Sequence, residues 1–185
     1  MPLTDIALWN GKTVPRIGIG TWVMGGAQYA GDTPIGWADV DDAISIRTLH
    51  TTFDQGVRII DTSNQYGGGQ AEDVIAEGIA MSDLSRDAFA ICTKAGNVCD
   101  PVSRNLIGTA DQMDEITASI EGSLRRLKTD NLDLMKFHLN RHPIEQSEGV
   151  FEAFSDAYKA GKIGGFGWSN DNLEGAVAFA DMDGS

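Results

Sequence analysis

Short apolar runs recur along the chain, separated by longer stretches with helical spacing. The runs are "IGIG" (17–20), "RIID" (58–61), "FAICTK" (89–94), "LDLMKFHL" (132–139) and "IGGFGWS" (163–169). Such short runs, without strict polar alternation, are typical of strands buried on both faces of a parallel sheet. The pattern therefore predicts five parallel strands.

Helical patterns alternate with these strands. Apolar positions mark a core-facing stripe at Ile46, Leu49 and Phe53; at Met113, Ile116, Ile120, Leu124 and Leu127; and at Phe151, Phe154 and Tyr158. A further helix, "AEDVIAEGIA", carries Glu72 and Asp73 in its first turn, where acidic side chains complement the helix dipole. Alternating strand and helix units indicate an α/β fold with a parallel sheet or barrel.

The segment "IALWNGKTVP" precedes these units and predicts a β-hairpin. Its Asn10-Gly11 pair is suited to a type I′ turn, which needs positive φ at both central residues. An N-terminal hairpin is therefore expected before the first βα unit.

Loop lengths indicate which end of the sheet carries function. The connections from helix to strand are short, as at 55–57 and 160–162, whereas those from strand to helix at 21–41 and 95–110 are long. Long loops after the strands form the functional face of (β/α) barrels. Four polar residues fall at the carboxyl ends of predicted strands, namely Asp61, Lys94, His138 and Ser169.

Composition narrows the possible partners. The 185 residues carry a net charge of −13, with 14 Lys and Arg against 27 Asp and Glu. This charge argues against nucleic acid and anionic membranes as partners. No run reaches the roughly 18 apolar residues of a membrane span, and the first ten residues lack a signal-peptide pattern. A soluble cytoplasmic protein with two reduced thiols, Cys92 and Cys99, is expected.

Asp61, Tyr66, Lys94 and His138 are candidates for a shared polar site. Each also has a structural interpretation: a turn cap, a packed ring, a solvated strand-end lysine and a core histidine. As a group they suit carbonyl chemistry, because an ammonium about 4 Å from a phenol stabilises the phenolate by up to roughly 4 kcal/mol. The pattern therefore predicts a lowered pKa for Tyr66, with Asp61 holding Lys94 charged and His138 donating to a substrate oxygen.

Five motifs in this order resemble those of the aldo-keto reductases across nearly the whole chain. They are "GTW" (20–22), "DTSNQYG" (61–67), "CTKAG" (92–96), "SLRRLKTDNLDLMKFH" (123–138) and "AGKIGGFGWSN" (160–170). The resemblance implies a (β/α)8 barrel that reduces aldehydes or ketones by direct hydride transfer from NADPH. It implies Tyr66 as general acid, Lys94 and Asp61 as its tuning pair and His138 as the residue that orients the carbonyl.

The same resemblance implies the residues that hold cofactor and substrate, and it includes no metal. The cofactor would contact Gly20, Thr21, Trp22, Asp61, Ser169 and Asn170, the last two through its carboxamide. Trp22, Tyr29 and Trp37 would form an apolar wall for the substrate.

Lys136 departs from the family pattern, in which an uncharged glutamine is common at this position. It shares a strand face with His138, so its ammonium should point inward and pair with a carboxylate or contact the substrate. Cys92 lies on the equivalent inward face beneath Lys94 and is expected to be a small packed residue.

The chain is also shorter than the roughly 250 residues of a full barrel. We expect residues 1–185 to form one truncated barrel domain, about five βα units after the hairpin, ending at "AVAFADMDGS" in or just past a fifth helix. Cofactor binding would then be weakened. The open strand edges predict a homo-oligomer.

Two other functions remain open. A barrel fragment could serve as a non-enzymatic assembly subunit that retains the motif residues. A Rossmann-type nucleotide binder using Gly67–Gly69 is disfavoured, because the GxGxxG spacing is absent and Glu72 and Asp73 occupy the start of the following helix.

Overall fold

The computed structural model of the protein describes residues 4–180. Its strands are β1 (Asp5–Ala7), β2 (Thr13–Pro15), β3 (Gly18–Gly20), β4 (Tyr29–Ala30), β5 (Thr33–Pro34), β6 (Ile59–Asp61), β7 (Ala90–Ala95), β8 (Asn97–Cys99), β9 (Leu106–Thr109), β10 (Leu134–Phe137) and β11 (Phe166–Trp168). Its helices are α1 (Asp42–Asp54), α2 (Gln70–Ala80), α3 (Met113–Leu127), α4 (Glu148–Lys159) and α5 (Leu173–Ala180). The predicted domain also includes residues 1–3 and 181–185, which lie outside the described residues.

The central sheet has five strands in the order β11-β10-β7-β6-β3, and every pairing is parallel. These are the five strands that the apolar runs predict. The sheet is open: within residues 4–180, no pairing joins β3 to β11. A closed barrel is therefore not found, and the partial barrel remains a prediction.

The two faces of the sheet differ in polarity because successive side chains of a strand point to opposite sides. Ile60, Ile91, Met135 and Phe137 are fully buried and belong to the apolar cluster that includes the helices. The charged side chains of β6, β7 and β10 alternate with them and lie on the other face. The sheet thus separates an apolar core from a polar inner face.

The predicted helix stripes are mostly buried, with two corrections. Ile46, Leu49 and Phe53 of α1 lie in the core as expected. Met113 and Tyr158 were expected in the same layer, but they are 40% and 45% exposed. Met113 is the first residue of α3 and Tyr158 lies in the last turn of α4, so each lies at a helix end.

The N-terminal hairpin forms, but the predicted turn type is wrong. Strands β1 and β2 pair antiparallel, and the Leu8 amide donates to the Lys12 carbonyl at 2.8 Å. Of the turn residues only Gly11 has positive φ, at 82°. A type I′ turn needs two such residues, whereas a three-residue connection needs only the last.

Asp133 fixes this hairpin against the amino-terminal end of the sheet. Its buried carboxylate accepts hydrogen bonds from the Ile91 amide at 2.9 Å and the Arg86 guanidinium at 3.0 Å, and it pairs with Lys12 at 2.6 Å. The Trp9 indole donates to the Gly164 carbonyl at 3.1 Å. The hairpin therefore closes the end of the sheet opposite the long loops.

The two long loops contain small hairpins that the sequence pattern did not predict. Strands β4 and β5 lie in the first loop, and β8 and β9 lie in the second. Arg104 joins the loops, because its guanidinium donates to the Gly25 carbonyl at 2.8 Å. No helix within the described residues has the length and apolar character needed to cross a membrane.

Candidate active site

The four predicted site residues converge at the carboxyl ends of adjacent strands. Asp61 ends β6, Lys94 lies near the end of β7 and His138 directly follows β10. Tyr66 begins a short turn of 3-10 helix, Tyr66–Gly69, after β6. Because these strands are neighbours in the sheet, the structure brings the four side chains to one region of its polar inner face.

Lys94 is the centre of this group, and its side chain is almost fully buried. Its ammonium donates to Asp61 Oδ1 at 2.6 Å, to the Thr62 carbonyl at 2.8 Å and to the Tyr66 hydroxyl at 3.1 Å. An ammonium has three N–H donors, so all of them are used. The Thr62 carbonyl is a member of the site that sequence reasoning missed, since a backbone group carries no residue-type signal.

Asp61 accepts from two lysines. Lys94 binds Oδ1, and Lys136 binds Oδ2 at 2.6 Å. Burial acts to raise the pKa of Asp61, but the hydrogen bonds and charges of Lys136 and Lys94 outweigh it and hold that pKa below its usual range. The carboxylate is therefore ionised, and Lys136 forms the internal ion pair that its inward position indicated.

The pKa of Tyr66 differs from the sequence prediction. Burial raises it above its ordinary value, and the nearby charge of Asp61 raises it further, while Lys136 opposes both. The predicted lowering by Lys94 is thus wrong for this structure. Desolvation penalises the phenolate, and the Asp61 carboxylate neutralises much of the ammonium charge. Tyr66 is a protonated phenol at neutral pH and can act only as a proton donor there.

His138 is neutral at pH 7. Burial lowers its pKa to about 4, and the charges of Lys94 and Lys136 lower it as well, while Asp61 opposes them. Its Nδ1 is buried without a hydrogen-bond partner among the described residues. A neutral imidazole keeps one N–H donor, which can hold a carbonyl oxygen without transferring its own proton.

Aromatic rings cover one side of the site. Trp22 stacks on Tyr66 with ring centroids 6.0 Å apart, and Trp37 meets Trp22 edge-on at 4.6 Å. Tyr29 was expected in the same wall, but it lies in β4, where its amide donates to the Arg104 carbonyl at 2.9 Å. The structure therefore brings together Trp22 and Trp37, and no ring contact between described residues joins Tyr29 to them.

Three of the predicted cofactor residues make hydrogen bonds within the protein itself. Thr21 is fully buried, and its hydroxyl donates to the Asp61 carbonyl at 3.0 Å, so it holds the backbone of β6. The Ser169 amide donates to the Phe137 carbonyl at 2.8 Å. Asn170 Oδ1 accepts from the Asn172 amide at 2.7 Å, whereas Asn170 Nδ2 is buried without a partner in the described chain.

Gly20 and Trp22 lie beside this region. A Cβ placed on Gly20 would meet no atom within 4 Å, so the surface there is open to a bound molecule. The Trp22 side chain is 45% exposed. Asn170 Nδ2 and the open surface at Gly20 are the features that could accept a nicotinamide.

Glycines allow the turn that carries Tyr66 to approach the first loop. A Cβ on Gly67 would lie 1.9 Å from the Gly25 carbonyl oxygen, and Gly67 has a φ of 63°. Both the close contact and the left-handed conformation require glycine. The "YGGG" segment therefore sets the position of Tyr66 by backbone packing, a role that the sequence analysis missed although the glycine run signalled it.

Cys92 lies on the inner face below this site, as predicted. It is buried, and its burial raises the pKa of the thiol to about 11. The thiol is protonated at neutral pH and packs as a small side chain.

The sequence model of the Aldo/keto reductase family matches residues 16–179. This match covers most of the chain. The chain belongs to the aldo/keto reductase family. Named relatives include an oxidoreductase and a reductase. The parallel α/β sheet agrees with the TIM-barrel type of fold in the matched aldo-keto reductase structures.

Individual relatives agree with this assignment. The chain is 34% identical over 174 residues to "Aldo-keto reductase YhdN" of Bacillus subtilis, covering 94% of this chain and 48% of the relative. It is 25% identical over 183 residues to "NADH-specific methylglyoxal reductase" of Escherichia coli, covering 92% and 54%. The crystal structure of an aldo-keto reductase from Klebsiella pneumoniae in complex with NADPH matches with a TM-score of 0.71 at 28% identity, covering 100% of this chain and 56% of that one. The chain thus spans about half the length of the relatives it matches.

Proposed function

We propose that this protein reduces an aldehyde or ketone to an alcohol, using a nicotinamide cofactor and Tyr66 as the proton donor. The observation that carries the proposal is the three-way coordination of the Lys94 ammonium, which joins the Asp61 carboxylate to the Tyr66 hydroxyl. A phenol that is buried beside a lysine and stacked against Trp22 is suited to donating a proton to a carbonyl oxygen.

The residues present fit the nicotinamide end of such a cofactor. The unpartnered Asn170 Nδ2 is a buried donor suited to a carboxamide oxygen, and Ser169 precedes it. Gly20, Trp22 and Asp61 lie on the neighbouring strand ends, while Thr21 acts indirectly by holding the Asp61 backbone. When bound, the reduced nicotinamide supplies the hydride.

We propose NADPH as the preferred form. One matched structure holds NADPH, whereas one relative is named as NADH-specific, so the two forms must be compared directly. We expect weak binding to the 185-residue chain, because the residues named here would contact only the nicotinamide end of the cofactor.

Each side chain of the site has one task in this reaction. His138 donates its N–H to the carbonyl oxygen and orients it, and Tyr66 donates the hydroxyl proton to the same oxygen as the carbonyl carbon gains a hydride. The product is an alcohol. Lys94 stabilises the resulting phenolate, and Asp61 positions Lys94. Trp22 and Trp37 exclude water from one side.

The substrate is proposed to be a small carbonyl compound in the cytoplasm, handled by one domain spanning residues 1–185.

The outer strands of the sheet, β3 and β11, have unpaired edges within residues 4–180. This observation supports assembly of two copies through these edges and also keeps a non-enzymatic assembly role as the second candidate.

Turnover and assembly can be measured on the same preparation. The rate of nicotinamide oxidation with an aldehyde tests the catalytic proposal, and fluorescence titration compares NADPH with NADH. Light scattering tests assembly, and a monomer of 19.8 kDa would contradict it. A dimer that shows no turnover with any aldehyde or ketone would favour the assembly role.

A further inference from the structure

Lys136 lies beside Lys94 on the inner face of the sheet. The two are register partners in the parallel pairing of β7 with β10. The Lys136 ammonium contacts Asp61 Oδ2 at 2.6 Å, and its side chain is 22% exposed. Two lysine side chains from neighbouring strands therefore bind one carboxylate from opposite sides.

The hydrogen-bond donors of Lys94 are all used, so a second lysine binds the remaining oxygen of Asp61. Lys94 uses its three N–H groups on Asp61 Oδ1, the Thr62 carbonyl and the Tyr66 hydroxyl, so it has none left for Asp61 Oδ2. Lys136 supplies that donor. With both oxygens bound, the Asp61 carboxylate is held in one orientation and Lys94 stays directed at Tyr66.

We propose that Lys136 is a positioning residue for the carbonyl site: it binds the second carboxylate oxygen of Asp61 and leaves the site with one uncompensated positive charge. Its role in turnover rests on the proposed function. Its electrostatic role does not.

The net charge of the site follows from the charged side chains that face one another in it. Two ammonium groups, Lys94 and Lys136, oppose a single carboxylate, Asp61, while Tyr66 and His138 are neutral at pH 7. A site with only Lys94 and Asp61 would be neutral. The additional positive charge favours the negative charge that develops on a carbonyl oxygen and on the Tyr66 phenolate during reduction.

Nuclear magnetic resonance titration of the His138 imidazole tests this charge without requiring turnover. Lys136→Gln keeps a hydrogen-bond donor for Asp61 but removes the charge, so we expect the pKa of His138 to rise from about 4 toward its ordinary value. Lys136→Arg keeps the charge and should restore the low pKa. The shift is expected in the full 185-residue chain.

Lys162→Gln is the matched control, because Lys162 is also a partly exposed lysine in an ion pair, with Glu121, away from the site. It should leave the His138 titration unchanged.

A His138 pKa that is the same in Lys136→Gln and the parent would overturn the proposal. If Lys136→Gln does not fold, the His138 pKa is measured in Lys136→Met instead. A raised value supports the proposal, and an unchanged value overturns it. A Tyr66→Phe variant with parental activity would refute the proposed function while leaving this titration valid, so the two failures are distinguishable.

Discussion

The Lys94 ammonium lies 3.1 Å from the Tyr66 hydroxyl and 5.0 Å from the centre of the same ring. The lysine thus meets the phenol at its polar end and also contacts its π-system. The interaction connects a strand end to a loop 28 residues away in sequence. It is the contact on which the proposed proton donation by Tyr66 depends.

Tyr66→Phe removes the hydroxyl and keeps the ring that stacks on Trp22. Loss of a general acid typically lowers the rate by about a hundredfold or more, so we expect a fall of at least this size in kcat. Binding of the nicotinamide should change little, as measured by fluorescence titration. Tyr158→Phe is the control, since Tyr158 is 45% exposed on α4 and should leave the rate unchanged. Carbonyl reduction by Tyr66→Phe at the parental rate would show that another group donates the proton.

Lys94→Met removes the donor to both Asp61 and the Tyr66 hydroxyl. The Asp61 carboxylate, which raises the pKa of Tyr66, then loses one of its two lysine partners, so we expect a lower kcat and a shift of the alkaline limb of the pH–rate profile to higher pH. Lys159→Met, which changes an exposed lysine on α4, is the control. A profile identical to the parent's would contradict the coupling of Lys94 to Tyr66.

Much of this arrangement is predictable from sequence, because strand ends and hydrophobic periodicity carry strong local signals. The runs that end at Asp61 and Lys94 specify both the strands and the face on which these side chains meet. The inward position of Lys136 follows from the same period of two.

Other features depend on three-dimensional packing that the sequence does not encode locally. The raised pKa of Tyr66 depends on the burial of its side chain and on the opposed charges of Asp61 and Lys136, which strand order alone does not give. Tyr29 lies away from the wall because a hairpin within the first loop holds it. The Asn10-Gly11 pair predicts the wrong turn type, because dipeptide chemistry does not distinguish two-residue from three-residue connections.

Gly67→Ala tests the close approach of the Tyr66 turn to the first loop. The new Cβ would lie 1.9 Å from the Gly25 carbonyl oxygen at a φ of 63°, so backbone must move. We expect a loss of about 2–4 kcal/mol in the free energy of unfolding, measured by urea denaturation. Gly11→Ala is the matched control, because Gly11 has a φ of 82° but no atom within 4 Å of its Cβ. Equal losses in the two variants would mean that backbone conformation alone, and not the contact with Gly25, requires glycine.

Asp133→Asn tests the ionic anchor of the N-terminal hairpin. Burial acts to raise the pKa of Asp133, but the hydrogen bond from Lys12, the Ile91 amide and the charge of Arg86 lower it overall. The unfolded chain therefore takes up a proton at this residue before the folded protein does. The stabilisation by Asp133 is present above the unfolded pKa of about 3.9 and is lost as the pH falls toward the lower folded value.

We expect Asp133→Asn to lower the free energy of unfolding at pH 7 by about 2–3 kcal/mol, because two cations lose their shared carboxylate while remaining partly solvated. The loss should shrink in acid, where the parent loses the same stabilisation as Asp133 becomes protonated. Urea denaturation at pH 7 and in acid measures both quantities. Asp156→Asn is the control, since Asp156 pairs with Lys159 on the exposed surface of α4 and should change stability little at either pH. A difference between parent and Asp133→Asn that stays constant down to the acid transition would show that Asp133 acts through its shape and hydrogen bonds and not through its charge.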